Sequence, residues 1–166
     1  MRALLILAGT LLAFPLTAHA QLGRSASALA HDERVEHALD AEGWSYEIDS
    51  DGDFKMVISF SEEDRSQLVY VISRTHEAND LEIREVWSPV YRTENGNTVP
   101  AEIAQWALEQ SWDLTIGSLA ASPDGKVYFV GKIDADAPAP VLSSIIRIAA
   151  STGDELEKMQ QTGDDL

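Results

Sequence analysis

Two stretches of alternating apolar and polar residues, each interrupted by a turn, predict β-hairpins. In the first, Trp44 to Phe60, the alternation stops at Ser50-Asp51-Gly52-Asp53. In the second, Trp112 to Asp134, it stops at Ser122-Pro123-Asp124-Gly125. Because an Asp-Gly pair adopts the backbone conformations that a tight turn requires, each stretch fits two paired strands.

Two further strands are predicted between these hairpins. Gln67 to Thr75 carries apolar residues on both faces, which is typical of a central strand. His76 to Asp80 is a polar link, and Leu81 to Tyr91 alternates again, with Arg84 on its polar face. Since proline cannot donate a hydrogen bond to a neighbouring strand, Pro89 indicates that the end of this strand lies on an edge or leaves the sheet.

Three segments have the apolar spacing of helices: His31 to Glu42, Val99 to Gln110 and Ala139 to Gln160. Gly43 ends the first, and Pro100 suits the first turn of the second. The resulting order is α-β-β-β-β-α-β-β-α. Because the links between strands are short, we expect an α+β fold, with a mostly antiparallel sheet of five to six strands and helices on one face.

The two ends of the chain are predicted to lie outside this fold. Residues 1–20 have a positive start, a short apolar core and small residues before a cleavage site after Ala20, which is the pattern of a signal peptide. Residues 21–30 are a flexible lead-in, 31–160 form a single domain, and 161–166 are an acidic, disordered tail. The mature protein is therefore expected to be periplasmic or secreted, without stable insertion in a membrane.

The composition limits the partners and the chemistry. The chain has no cysteine, so thiol catalysis, thiolate metal sites and disulfides are excluded. Its formal net charge is −16, and a negative field repels nucleic acid and anionic lipid. A solvated acidic surface explains this charge most simply, and attraction of a basic protein partner is the functional alternative.

No residue pattern indicates a catalytic, cofactor or metal site. Asp49, Asp51 and Asp53 suggest calcium, but the glycine and glutamate that a calcium loop requires are not at the required positions. The three aspartates therefore fit a hairpin turn. His31 and His37 are six residues apart and do not share a helix face. We accordingly predict a protein that is not an enzyme.

Four aromatic residues close together in the sequence are the remaining candidates for function. Trp112 alternates with Leu114 and Ile116, which favours a place in the core. Trp87 and Tyr91 flank Pro89 near a predicted strand end, where a core position and an exposed anchor are equally compatible with the pattern. Trp106 lies on the narrow apolar stripe of the second predicted helix. Trp87, Tyr91 and Trp106 are our candidate partner-binding residues.

The order of elements and several short segments resemble the YbjN-like family, described as "putative bacterial sensory transduction regulator". This family is similar in fold to the chaperones of type III secretion systems. The resemblance implies a non-enzymatic, acidic domain that binds proteins and is able to dimerise, with the helix of Trp106 as a candidate dimer surface. The matching segments are Ala38 to Tyr46, Asp51 to Phe54, Leu81 to Arg84 with Trp87, Ser88 and Tyr91, Asp124-Gly125, and Ala149 to Glu157.

The function expected from the sequence is an exported, non-enzymatic protein-binding or chaperone-like domain whose partner is unknown. A homodimer is also compatible with the sequence. A small-ligand sensor is one alternative, because the apolar set of the last helix, from Val141 to Met159, is wide enough to line a cavity beneath it. An enzyme with an unrecognised site is the other alternative.

Overall fold

The computed structural model describes residues 30–61, 64–94 and 98–160. The predicted signal peptide, nearly all of the lead-in and the acidic tail lie outside the described residues. The three helices are α1 (Glu33–Glu42), α2 (Ala101–Asp113) and α3 (Ala139–Gln160). The strands are β1 (Glu47–Ile48), β2 (Phe54–Phe60), β3 (Arg65–Val71), β4 (His76–Ala78), β5 (Leu81–Arg92), β6 (Ser118–Ala121) and β7 (Lys126–Asp134).

The described strands form one antiparallel sheet in the order β1-β2-β3-β5-β7-β6, and β4 pairs with β5. The predicted α+β fold with an antiparallel sheet is confirmed. Two local predictions are wrong. The predicted polar link from His76 contains strand β4, and the strand predicted from Trp44 is paired only at Glu47 and Ile48.

All three helices contribute to one core on one face of the sheet, as predicted. Val35 and Leu39 of α1, Ala107 of α2 and most buried residues of α3 belong to the same apolar cluster as Phe54 and Phe129 of the sheet. The register places the side chains of Tyr70, Trp87 and Tyr128 on the other face, since they alternate with the core residues.

Pro89 lies where β5 loses its neighbour on one side, as predicted for the end of this strand. The pairing of β5 with β3 stops at Trp87, whereas its pairing with β7 continues to Arg92, with an irregular register between Pro89 and Tyr91. The Gln67 side chain donates hydrogen bonds to the Pro89 carbonyl oxygen (2.7 Å) and to Ser88 Oγ (2.9 Å). These side-chain bonds join β3 to β5 beyond the last paired residues of the two strands, where a proline is therefore tolerated.

Arg84 was predicted on a polar strand face, but it points toward the helices and is only 1% exposed. Its guanidinium donates to Asp32 Oδ2 (2.6 Å) and to the carbonyl oxygens of Ile72 (2.8 Å) and Ser73 (3.1 Å). Asp32 also caps the first turn of α1 by accepting from the Arg34 backbone N–H. Arg84 thus joins the start of α1 to the centre of the sheet.

Helix α3 has the predicted bounds, although two residues of its predicted apolar set, Val141 and Met159, are exposed. Close to its middle it passes so near to β5 that a Cβ at Gly153 would overlap Ser88 Oγ. Within the described ranges, no helix is both long and apolar enough to cross a membrane.

Candidate partner-binding surface

The most exposed large apolar side chain of the described residues is Trp112, at 89%. The predicted strand position in the core is wrong, because α2 continues through Asp113 and the following strand starts only at Ser118. Leu108, one helical turn earlier, is 68% exposed, and Ile116, just after the helix, is 45% exposed. We call Leu108, Trp112 and Ile116 the α2 patch.

The opposite side of α2 fixes the helix to the core. Ala107 is buried there, and Ile103 and Trp106 are half-buried against the same cluster. Ser111 Oγ donates to the Ala107 carbonyl oxygen (2.8 Å) and accepts from the Leu119 N–H of β6 (2.8 Å). The α2 patch is therefore displayed on a helix whose C-terminal end is hydrogen-bonded to the sheet.

The connection from α2 to β6 is also constrained, at Gly117. Its φ angle is +78°, which side chains disfavour. A Cβ at this position would lie 2.5–2.6 Å from atoms of the Phe129 ring and 2.9 Å from the Val130 carbonyl oxygen. The backbone therefore runs directly over the core beside Ile116, which further fixes the position of the patch.

The charges on α2 are all negative. Glu102, Glu109 and Asp113 are exposed, and the helix contains no lysine, arginine or histidine. The Glu109 carboxylate accepts a hydrogen bond from Gln105 Nε2 (2.7 Å), one turn away. The α2 patch is thus an apolar stripe with an acidic border.

The three partner-binding residues predicted from the sequence do not share one surface. Trp87 lies on the sheet face opposite the helices, where its Nε1 donates to Glu85 Oε2 (2.9 Å) and its ring is 5.6 Å from that of Tyr128. Tyr91 and Trp106 are half-buried against the core on the helix side. Sequence reasoning missed Trp112, although the spacing of Leu108 and Trp112 on one helix face was a usable signal.

Charged residues around α1 line two pockets, of about 250 Å³ and about 650 Å³. Arg34 contributes to both pockets, and its guanidinium is already paired with the carboxylates of Asp32, Glu82 and Asp136. Burial on its own would raise the pKa of Asp32, but hydrogen bonds from Arg34 and Arg84 hold this pKa far below its usual value. Arg34 and Arg84 therefore already have carboxylate partners in these pockets.

The calcium pattern of the sequence involves Asp49, Asp51 and Asp53 of the first hairpin turn. Within the described ranges, no three side chains of the histidine, aspartate and glutamate types are grouped so that they could hold a metal ion. Asp49 instead uses its carboxylate within the first hairpin turn, where Oδ1 accepts from the backbone N–H groups of Asp51 (2.9 Å) and Asp53 (3.0 Å). These bonds confirm the predicted turn.

The chain matches the model of a protein family over most of its length. The model of the family YbjN, described as "Putative bacterial sensory transduction regulator", matches residues 31–159. Among curated proteins, no match was found. The matched range contains every described helix and strand up to Met159 of α3.

Proposed function

The chain belongs to the YbjN family, and from this premise we propose that it is an exported, non-enzymatic regulator that binds a basic protein segment at the α2 patch. The observation that carries the proposal is the exposure of Trp112 beside Leu108 on a helix that is fixed to the core. The family description supports a regulatory role, and the signal-peptide pattern of residues 1–20 supports export.

A protein partner is the best explanation of the patch. Contiguous exposed apolar side chains mark interaction sites, and tryptophan is among the residues that contribute most to binding energy. The patch lies on the convex side of a helix and not in a cleft, whereas small-molecule sites are concave. An apolar groove or helix face on the partner is therefore the complementary shape.

The charges around the patch favour a basic partner over a second copy of this chain. Two α2 helices packed face to face would bring Glu109 and Asp113 of both copies together, and α2 carries no cation to compensate. A partner with lysine or arginine beside its apolar residues would pair with these carboxylates. The chain as a whole, with a net charge of −16, would also accelerate the approach of such a partner.

A binding experiment with two synthetic peptides tests this proposal. Both peptides form amphipathic helices with the same leucine face, and the polar face is lysine in one and glutamate in the other. We expect the lysine peptide to bind, and Trp112→Ala to weaken its binding roughly 30-fold, since a dominant interface residue contributes about 2 kcal/mol. Fluorescence anisotropy of the labelled peptide at physiological salt measures both constants.

The matched control is Leu81→Ala, which removes an exposed apolar side chain on another surface, β5. It should leave peptide binding unchanged, and both variants should melt like the parent protein. Equal effects of the two substitutions would mean that the peptide is attracted only by the overall charge, and the assignment to α2 would then be wrong. Export is tested separately: mass spectrometry of the protein from the producing cell should show a chain that starts at Gln21, and an intact Met1 would contradict it.

A further inference from the structure

The carboxylates of α2 lie on one flank of the α2 patch. Successive residues of an α-helix are rotated by about 100°, so Leu108 and Trp112 are about 40° apart around the axis. By the same rotation, Glu102, Glu109 and Asp113 all lie on one side of this pair, about 80° to 120° from its midpoint. All three side chains are exposed. The acidic border of the patch is therefore one-sided.

The other flank of the patch faces strand β6 and is uncharged. The helical rotation places Ala104 and Ser111 there, about 60° and 80° from the same midpoint in the opposite direction. The hydrogen bonds agree with this position, because Ser111 Oγ accepts from the Leu119 N–H of β6 (2.8 Å). Strand β6, Ser118–Ala121, contains no charged residue. A segment bound along α2 therefore meets carboxylates only on the side away from β6.

The three carboxylates are not neutralised by cations of the described chain. Within residues 30–61, 64–94 and 98–160, no ion pair involves Glu102, Glu109 or Asp113. Glu109 accepts a hydrogen bond from the Gln105 side chain (2.7 Å), which is uncharged. Basic residues of a partner would therefore pair with carboxylates that have no competing cation.

The negative charge of α2 is concentrated toward its C-terminal end. Glu109 and Asp113 both lie in this half of the helix, and its last turn has no basic residue. Since the C-terminal end of a helix already carries a partial negative charge, the two carboxylates add to that charge. The N-terminal end of a second helix carries a partial positive charge and is attracted to this end, which favours an antiparallel arrangement.

Building on the proposed function, we propose that the basic segment is a helix that runs antiparallel to α2 and carries its lysines or arginines on a single flank. In α2, Glu109 directly follows Leu108, and Asp113 directly follows Trp112. Charges beside the apolar contact of two helices set their orientation, and equivalent flanks face each other when the helices are antiparallel. Each basic residue of the partner therefore directly follows one of its apolar contact residues.

Two peptides of identical composition test the flank. Both form helices with leucines at alternating spacings of three and four residues. Each lysine directly follows a leucine in the first peptide and directly precedes a leucine in the second, and all other residues are alanine or glutamine. An antiparallel second peptide would place its lysines over β6, and a parallel one would oppose the helix dipoles. We expect the first peptide to bind about threefold more tightly or better, because each exposed ion pair strengthens binding by about 1.4- to 5-fold.

Paired substitutions identify the carboxylates responsible. Glu109→Gln combined with Asp113→Asn should weaken binding and remove the difference between the two peptides. Glu77→Gln combined with Glu155→Gln removes two exposed carboxylates from β4 and α3 and is the matched control, which should preserve the difference. Fluorescence anisotropy at physiological salt measures all the constants. If both peptides bind the parent protein equally and Trp112→Ala weakens both, the proposed function stands and the single-flank orientation is wrong; if neither peptide binds, both are wrong.

Cysteine cross-linking measures the direction of the bound helix, since the chain contains no cysteine. Thr115, just beyond the C-terminal end of α2, and Ala101, at its N-terminal end, are both exposed. Under mild oxidation, the first peptide with an N-terminal cysteine should cross-link to Thr115→Cys and not to Ala101→Cys. The same peptide with a C-terminal cysteine should do the reverse. The opposite pattern, or equal yields at both positions, would overturn the antiparallel arrangement.

Discussion

A single methyl group at position 153 should destabilise the protein, although the same change normally stabilises a helix. Gly153 lies in the middle of α3 and is buried against β5. A Cβ would overlap Ser88 Oγ and would lie 2.9 Å from Gln67 Nε2 and 3.1 Å from Ser88 Cβ. Gly153→Ala therefore sets the intrinsic preference of alanine for helices against a close contact between the helix and the sheet.

The magnitudes decide this competition. Alanine in place of glycine favours a helix interior by roughly 0.5–1 kcal/mol. An extra methyl group in a packed interior costs about 1–3 kcal/mol. Ser88 must also move, which weakens its bonds to the Leu68 carbonyl oxygen (2.9 Å) and to Gln67 (2.9 Å), each contributing about 0.5–1.5 kcal/mol. We expect Gly153→Ala to lower the free energy of unfolding by about 1–3 kcal/mol.

Urea unfolding followed by circular dichroism measures this change, and a double-mutant cycle identifies its cause. Ser88→Ala removes the oxygen that the new methyl group would overlap. The loss of unfolding free energy in the double variant should therefore be smaller than the sum of the two single losses by about 1 kcal/mol or more. Ser151→Ala, an exposed position two residues away, is the control for helix preference and should stay within about 0.5 kcal/mol. A Gly153→Ala protein as stable as the parent, or strictly additive effects, would refute the reasoning.

Two further predictions concern the ion pairs that hold α1. Arg84→Met should lower the free energy of unfolding, measured in urea, by about 3–5 kcal/mol, since it leaves Asp32 and two carbonyl groups without their donor. Arg84→Lys should not restore the loss, because an ammonium group cannot reproduce the planar guanidinium. Wild-type stability of either variant would contradict this prediction. Hydrogen bonds from Arg34 and Thr75 lower the pKa of Glu82 to about 2, from the usual 4.5, so the stabilisation by this carboxylate is fully present above pH 4.5 and is lost as the pH falls toward 2. The melting temperature measured between pH 7 and pH 3 should decrease less steeply in Arg34→Met than in the parent protein, and parallel curves would count against the assignment.

Elements that depend on local chemistry could be predicted from the sequence. The Asp-Gly turns, the end of α1 at Gly43 and the bounds of α3 were predicted correctly, because glycine, proline and helical periodicity act over a few residues. The antiparallel α+β class followed from the short connections between strands. The similarity to secretion chaperones stays a prediction.

The errors arose where distant residues decide the outcome. Arg84 is buried because Asp32 and the carbonyl groups after β3 supply its acceptors. Trp112 fits both an alternating strand and a continued helix, and tertiary packing of α2 through Ser111 determines which one forms. None of these partners is recognisable from neighbouring residues.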